Sequence, residues 1–250
     1  CAGTNPPHGV IVDYVLDQEY SGEIIITFQT PKGETIKEFS NRDAREVKPR
    51  SSPGMNRFIW DMRHPDISGP TNIDGPTALP GSYLVNINIG DQILSQPFQI
   101  VKDERIMATE KDLEARFDLL VRIRDKINES NDAVYLVRSI KSQIQKLEQS
   151  VMGQTTSAES LRSCSQIKKD LSSIEGTLIP LKGSHPQRPF PTRLTPKLVS
   201  LFDVVASADY TPTQQSYLVF DLICSKIDME LKCLKKIQNQ RLPKLVDVEG

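Results

Sequence analysis

Asp61, His64 and Asp66 come closer than any other residues in this sequence to a set of cation ligands. Carboxylates and imidazoles are metal donors, and these three fall within one loop-sized stretch. Metal sites usually announce themselves by close ligand pairs at a fixed spacing, which this stretch lacks. The other histidines, His8 and His185, lie far away in Pro-rich segments. Carboxylates near a strand end are far commoner than metal sites, so no metal is expected here. Asp13, Asp61 and Asp66 are also the raw material for glycoside hydrolysis, which needs two acids flanking one bond. Spacing alone selects no such pair. The chain has no Gly-x-Ser-x-Gly elbow, phosphate-binding loop or dinucleotide fingerprint. The expectation is a chain without a catalytic, cofactor-binding or metal-binding residue set.

The thiols point the same way. Cys1, Cys164, Cys224 and Cys233 form no Cys-x-x-Cys pair, which argues against zinc and thioredoxin-like chemistry. Cys224 and Cys233 fall on one expected helix and, at about 100° per residue, point to opposite sides. Cys164 and Cys224 both sit on apolar seams, as small hydrophobes do; a disulfide between helices is the alternative. Asp125, Asn128, Asn131 and Asp132 gather polar groups on the first expected helix, where facing water is the simpler expectation and a buried network the other. Lys232, Lys235, Lys236, Arg241 and Lys244 make a modest basic cluster without interleaved aromatics, so a solvated helix face is expected rather than a nucleic-acid contact.

Composition agrees. The 250 residues are 38% hydrophobic and 25% charged, with a net charge of −1. Neither a nucleic-acid partner nor an anionic membrane is implied. No apolar run approaches the roughly 18 residues that span a bilayer. Residues 1–103 hold 9 Lys/Arg and 13 Asp/Glu, and the remainder holds 22 and 19. This mild asymmetry is expected to be a mixed, solvated surface. The opening Cys1-Ala2-Gly3 resembles the start of a mature bacterial lipoprotein, and internal cleavage would explain it equally.

The elements that must position these groups change character near Asp103. Before it, apolar residues alternate; after it, they recur every three or four residues. Val10–Leu16, Glu23–Gln29, Thr35–Phe39, Asn56–Arg63, Ser82–Ile89 and Gln92–Val101 read as strands. Phe58, Trp60 and Met62 share one face of the fourth, and Gly90-Asp91 joins the last two in a tight hairpin. Short strands at this spacing predict an immunoglobulin-like antiparallel β-sandwich over 1–103.

Thr109-Glu110-Lys111-Asp112 resembles a capping box. The seam that follows, from Leu113 through Ile123, Ile127, Val137 and Ile144 to Val151, predicts one long helix, or two in line if Asn128–Asn131 marks a break. A turn is expected at 153–157, then a second seam from Leu161 to Leu178. Prolines 180, 186, 189, 191 and 196 make 180–196 a long connection. Thr195 with Pro196 reads as the start of a third helix. Thr211-Pro212-Thr213-Gln214 reads as the start of a fourth, burying Tyr217, Phe220, Cys224, Ile227, Leu231 and Leu234 and ending before Pro243. A four-helix bundle over 104–250 is the expectation.

Several stretches, taken in order, resemble one family. They are Asn5-Pro6-Pro7-His8-Gly9, Pro53-Gly54-Met55-Asn56-Arg57-Phe58-Ile59-Trp60-Asp61-Met62-Arg63-His64-Pro65 and Leu79-Pro80-Gly81-Ser82-Tyr83. Phe117-Asp118-Leu119, Ile123-Arg124-Asp125-Lys126, Asn131-Asp132-Ala133-Val134, Leu194-Thr195-Pro196-Lys197-Leu198 and Ala208-Asp209-Tyr210-Thr211-Pro212-Thr213-Gln214-Gln215 complete the set. Together they resemble the C-terminal region of bacterial BNR-repeat, or sortilin (Vps10)-like, glycosyl hydrolases. In that family β-propellers precede this region. The resemblance implies an exported protein whose sugar-directed site lies in the propeller. This chain carries no Ser-x-Asp-x-Gly-x-Thr Asp-box, so no catalytic residue transfers. What transfers is a non-catalytic accessory role beside a β-propeller of the same parent protein or of another subunit. A carbohydrate-binding module is the alternative, with Tyr14, Tyr20 and Tyr83 as its candidate aromatics.

Overall fold

The structure, a computed structural model, describes residues 7–44, 47–69, 73–151, 158–180 and 193–243. Cys1, His185, Lys244, the expected turn at 153–157 and most of the connection at 180–196 lie outside the described residues. The chain is mixed β and α and divides into two compact units. One comprises Cys1–Asp66, Ile73–Phe117 and Asp209–Thr211; the other comprises Ile67–Asn72, Asp118–Ala208 and Pro212–Gly250.

Among the described residues the first unit holds six antiparallel strands, β1 (Val10–Leu16), β2 (Ile24–Gln29), β3 (Thr35–Ser40), β4 (Gly54–Trp60), β5 (Gly81–Ile89) and β6 (Gln92–Ile100). They form an open two-stranded sheet, β1-β4, and an open four-stranded sheet, β3-β2-β5-β6. Alternation puts one face of each strand inward. Val12, Tyr14 and Leu16 from β1, Ile24, Ile26 and Phe28 from β2, and Phe58 and Trp60 from β4 join one apolar cluster fed by both sheets. Trp60 and Phe28 are fully buried. The indole Nε1 donates to the Arg63 carbonyl at 3.1 Å, which satisfies its one polar group.

β4 stops at Trp60, not at Arg63 as alternation suggested. Met62 has a φ of 59°, a conformation that no strand accommodates. The Arg63 N–H instead donates to Asp61 Oδ1 at 3.1 Å, a short polar turn that ends the strand. The hairpin at Gly90 forms as expected, with φ at 59°.

The second unit contains most of four helices: α1 (Glu110–Val151), α2 (Ala158–Leu178), α3 (Leu194–Ala206) and α4 (Gln214–Lys236). The opening turns of α1 are assigned to the strand-rich unit. The capping box is real. Thr109 N–H donates to Asp112 Oδ2 at 2.8 Å, and Asp112 N–H donates to Thr109 Oγ1 at 3.2 Å. α1 runs through Asn128–Asn131 without a break. Both asparagine side chains bond to Ser68 and so do not compete for the helix backbone.

Two helix starts differ from expectation. α3 begins at Leu194, and Thr195 is already inside its first turn, buried and hydrogen-bonded to Ser130 at 2.7 Å. α4 is capped by Thr213, whose hydroxyl accepts from Ser216 N–H at 3.2 Å. Thr211 donates to Asp112 instead. The α4 seam is correspondingly rotated. Phe220, Ile223, Ile227 and Leu234 are buried, while Tyr217, Cys224 and Leu231 are half-buried.

Polar links tie α1 to each of the other helices. Arg138 and Lys141 reach Glu175 of α2, Ser130 reaches Thr195 of α3, and Lys126 reaches Asp228 of α4. α4 ends in a π-helical turn, Ile237–Arg241, before Pro243.

Candidate functional site

The sequence's candidate ligands do not converge. Asp66 Oδ1 accepts from Lys37 Nζ at 3.3 Å and from Gly75 N–H at 3.2 Å. Asp61 caps the turn at Arg63. The His64 ring lies edge-on to Phe117 with centroids 4.7 Å apart, while the His64 backbone N–H donates to the Pro76 carbonyl. Each residue secures the loop that follows β4. Among the described residues, no group of three His, Cys, Asp or Glu side chains is placed to hold a metal ion.

Asp13, the third candidate acid, sits opposite Arg57 in the β1–β4 register. Arg57 Nε and Nη2 donate to its two oxygens at 2.8 Å each. These hydrogen bonds hold its carboxyl below the ordinary range. A carboxylate so engaged is a poor proton donor near neutral pH. The thiols are no better suited to attack. Burial pushes Cys224 up to about 11, which keeps it protonated. Cys164, Cys224 and Cys233 are all free thiols.

The aromatics proposed for carbohydrate face inward. Tyr14 and Tyr83 are each 8% exposed. The Tyr14 hydroxyl donates to the Arg50 carbonyl at 2.5 Å and the Tyr83 hydroxyl to the Leu79 carbonyl at 2.6 Å. Burial raises both phenols above their ordinary value. Tyr20 is partly buried against the same core.

The polar cluster on α1 has a use that its spacing did not reveal. Asn128 Oδ1 accepts from the Ser68 N–H at 2.8 Å and from its hydroxyl at 2.9 Å. Asn131 Nδ2 donates to the Ser68 carbonyl. The two asparagines, one turn apart, thus hold both sides of one residue's backbone. Asp132 faces water, as expected. In the basic cluster Lys232, Lys235 and Lys236 are exposed, and Arg241 pairs with Asp170.

Comparison with family models, with curated proteins and with solved structures gives no match.

No helix among the described residues is long and apolar enough to cross a membrane. A groove of about 510 Å³ runs between β1 and β6, lined by Val10–Val15 on one side and Leu94–Phe98 on the other, with Val85, Ile87 and Ile89 of β5 also lining it. It is lined largely by apolar side chains, and its Asp13 is the carboxylate held by Arg57.

Proposed function

We propose that this chain is a non-catalytic accessory region of an exported protein, an immunoglobulin-like β-sandwich with a helical bundle, which docks beside a β-propeller of the same parent protein or of another subunit. One observation carries the reading: the residues behind the family resemblance serve architecture. Gly9 has a φ of 137°, and a Cβ there would fall 2.3 Å from the Trp60 carbonyl oxygen, so the glycine permits close backbone approach. Trp60 fills the core, Asp61 closes the turn, Asn131 holds Ser68, Thr195 bonds Ser130, and Asp209 pairs with Arg116 at 2.5 Å. A motif set whose described residues are engaged in holding the fold suits a scaffold better than a catalyst.

The carbohydrate-binding alternative draws less support. Sugar platforms need exposed aromatic faces, and Tyr14 and Tyr83 are buried with their hydroxyls engaged.

The reading is tested by extending the chain through the reading frame upstream of Cys1 and cutting the product by limited proteolysis. A β-propeller fragment that co-elutes with this region supports docking. An upstream region without a propeller refutes docking within the same parent protein, and propeller fragments or subunits that never associate with this region refute the docking role. Recovery of the full-length product solely from the cytoplasm would refute export.

A further inference from the structure

Among the described residues the inner face of β6 is covered only in part: Phe98 packs against Trp60 and Tyr83, while Leu94 and Gln96 lie open. The β6 register pairs Leu94 with Ile87, Gln96 with Val85 and Phe98 with Tyr83. Directly paired residues project to the same side of a sheet, and Tyr83, Val85 and Ile87 all belong to the core. Leu94, Gln96 and Phe98 therefore point inward as well. Yet no residue of β6 is buried, and Leu94 is 60% exposed. The reason lies in the opposite sheet, which has only two strands.

The groove marks the vacancy. It touches every residue from Val10 to Val15 and from Leu94 to Phe98. Successive strand residues point to opposite faces, so a groove that meets them all follows the backbone edges of both strands. Among the described residues β1 pairs with β4 alone. Its other edge presents unpaired backbone donors and acceptors at alternate residues.

Exposed strand edges are usually guarded by charge. β6 has no charged residue in its nine. β1 has Asp13 alone, already neutralised by Arg57. Pro97 is the one edge device present. In a two-residue hairpin the closing pair is hydrogen-bonded and pairs alternate from there. Counting from Ile89–Gln92 puts Pro97 at a non-hydrogen-bonded position. Its missing N–H thus blunts the free edge of β6 and leaves that of β1 open.

We infer that this groove is a strand-acceptor site: it takes one extended segment of another polypeptide, seated beside β1 and over Leu94 and Phe98. The segment would add a third strand to the two-stranded sheet, its backbone pairing with β1. The lining defines its chemistry. Inward positions meet Val85, Ile87, Leu94 and Phe98 and call for apolar side chains at every second residue. Gln96 faces the middle of the strip and favours a hydroxyl or amide at the central inward position. With its one carboxylate already paired, the groove offers an inward charge no partner and rejects it by desolvation. The seven residues of β1 set the length of the ladder. The inference shares the docking reading but does not need a propeller as the partner.

The test uses the full chain, labelled with ¹⁵N, and a soluble peptide of about seven residues alternating Val and Thr, with lysines outside the strand at both ends. The expected result is saturable binding, with amide shifts and slowed exchange confined to β1 and β6. Leu94→Lys, a change at an exposed position, should leave the thermal transition in place and weaken binding at least about tenfold. A peptide with Asp at its inward positions should not bind. Absence of shifts in β1 and β6, or equal binding by Leu94→Lys, overturns the site. A dimer that Leu94→Lys dissolves in sedimentation equilibrium overturns it in favour of a second copy. A propeller complex that survives Leu94→Lys overturns the acceptor site as the docking surface while leaving the accessory role intact. Peptide binding without any propeller association does the reverse.

Discussion

Phe28 and Trp60 stack with ring centroids 4.3 Å apart and planes 23° from parallel, and each comes from a different sheet. This pair links the two sheets, and both side chains are fully buried. Phe58 and Phe98 flank it at 6.3 and 6.1 Å from the Phe28 centroid.

Trp60→Ala should therefore cost about 3–5 kcal/mol of stability, the range for deleting a large buried aromatic. Urea unfolding followed by circular dichroism is the measurement. A loss below about 1 kcal/mol would mean that the two layers do not depend on this contact.

Glu175 should be the most sensitive polar position in the helical unit. Its side chain is 7% exposed and receives Arg138 Nε at 2.7 Å and Lys141 Nζ at 3.2 Å. Burial pushes its carboxyl up, but the hydrogen bonds from Arg138 and Lys141 outweigh burial and hold it below the ordinary value. Its stabilisation is thus present above the unfolded carboxyl pKa and fades as pH falls through the lower folded value. Glu175→Ala should destabilise by about 1–3 kcal/mol, less than a fully buried pair because the cations are partly solvated. Glu175→Leu should recover part of that loss. Chemical unfolding at neutral pH compares the three.

Asp112 should titrate at about 2, held down by the hydroxyls of Thr211 and Thr109 and by the Thr109 backbone N–H. A depressed carboxyl stabilises the fold above its ordinary pKa and loses that contribution as pH drops toward 2. Asp112→Asn should flatten the acid limb of the melting-temperature profile between about pH 4 and pH 2. Carboxyl-carbon NMR reports the midpoint directly; a midpoint near the ordinary aspartate value would show that the Thr211 link is not formed in solution.

Thr213, not Thr211, should behave as the cap of α4. Thr213→Ala should cost about 1 kcal/mol and Thr213→Ser almost nothing. Thermal melts of the two variants decide it, and equal stability of Ala and Ser would exclude the cap.

Asn128→Ala should release one residue. The Ser68 amide, which donates to Asn128 Oδ1 at 2.8 Å, should exchange faster while α1 amides keep their protection. Global stability should fall by about 0.5–1.5 kcal/mol. Unchanged exchange at Ser68 would mean that Asn131 alone holds the segment.

Much of this protein is written in local pattern. The period of two before Asp103 and the period near 3.6 after it follow from backbone geometry, so strands, helices, the hairpin at Gly90 and the capping box at Thr109 are readable without coordinates. Burial of Trp60, Phe58 and, on α1, Leu113, Leu120, Ile123, Ile127, Val137 and Ile144 follows from the same phases. Boundaries are less legible. The end of β4 depends on Met62 adopting a positive φ, the start of α3 on Thr195 bonding Ser130 instead of capping, and the start of α4 on Thr213 capping while Thr211 bonds Asp112.

Sequence alone determined the kinds of element, their order and most of their inward faces, because those depend on neighbours a few residues away. Tertiary structure alone decided the use of the polar groups and the place of the vacancy. Asn128 and Asn131 find Ser68 across about sixty positions of chain, and Asp13 finds Arg57 across 44. The groove beside β1 depends on which strands pair, two in one sheet and four in the other among the described residues. Strand pairing is a long-range choice, and nothing in the spacing of β6 records that Leu94 is left exposed.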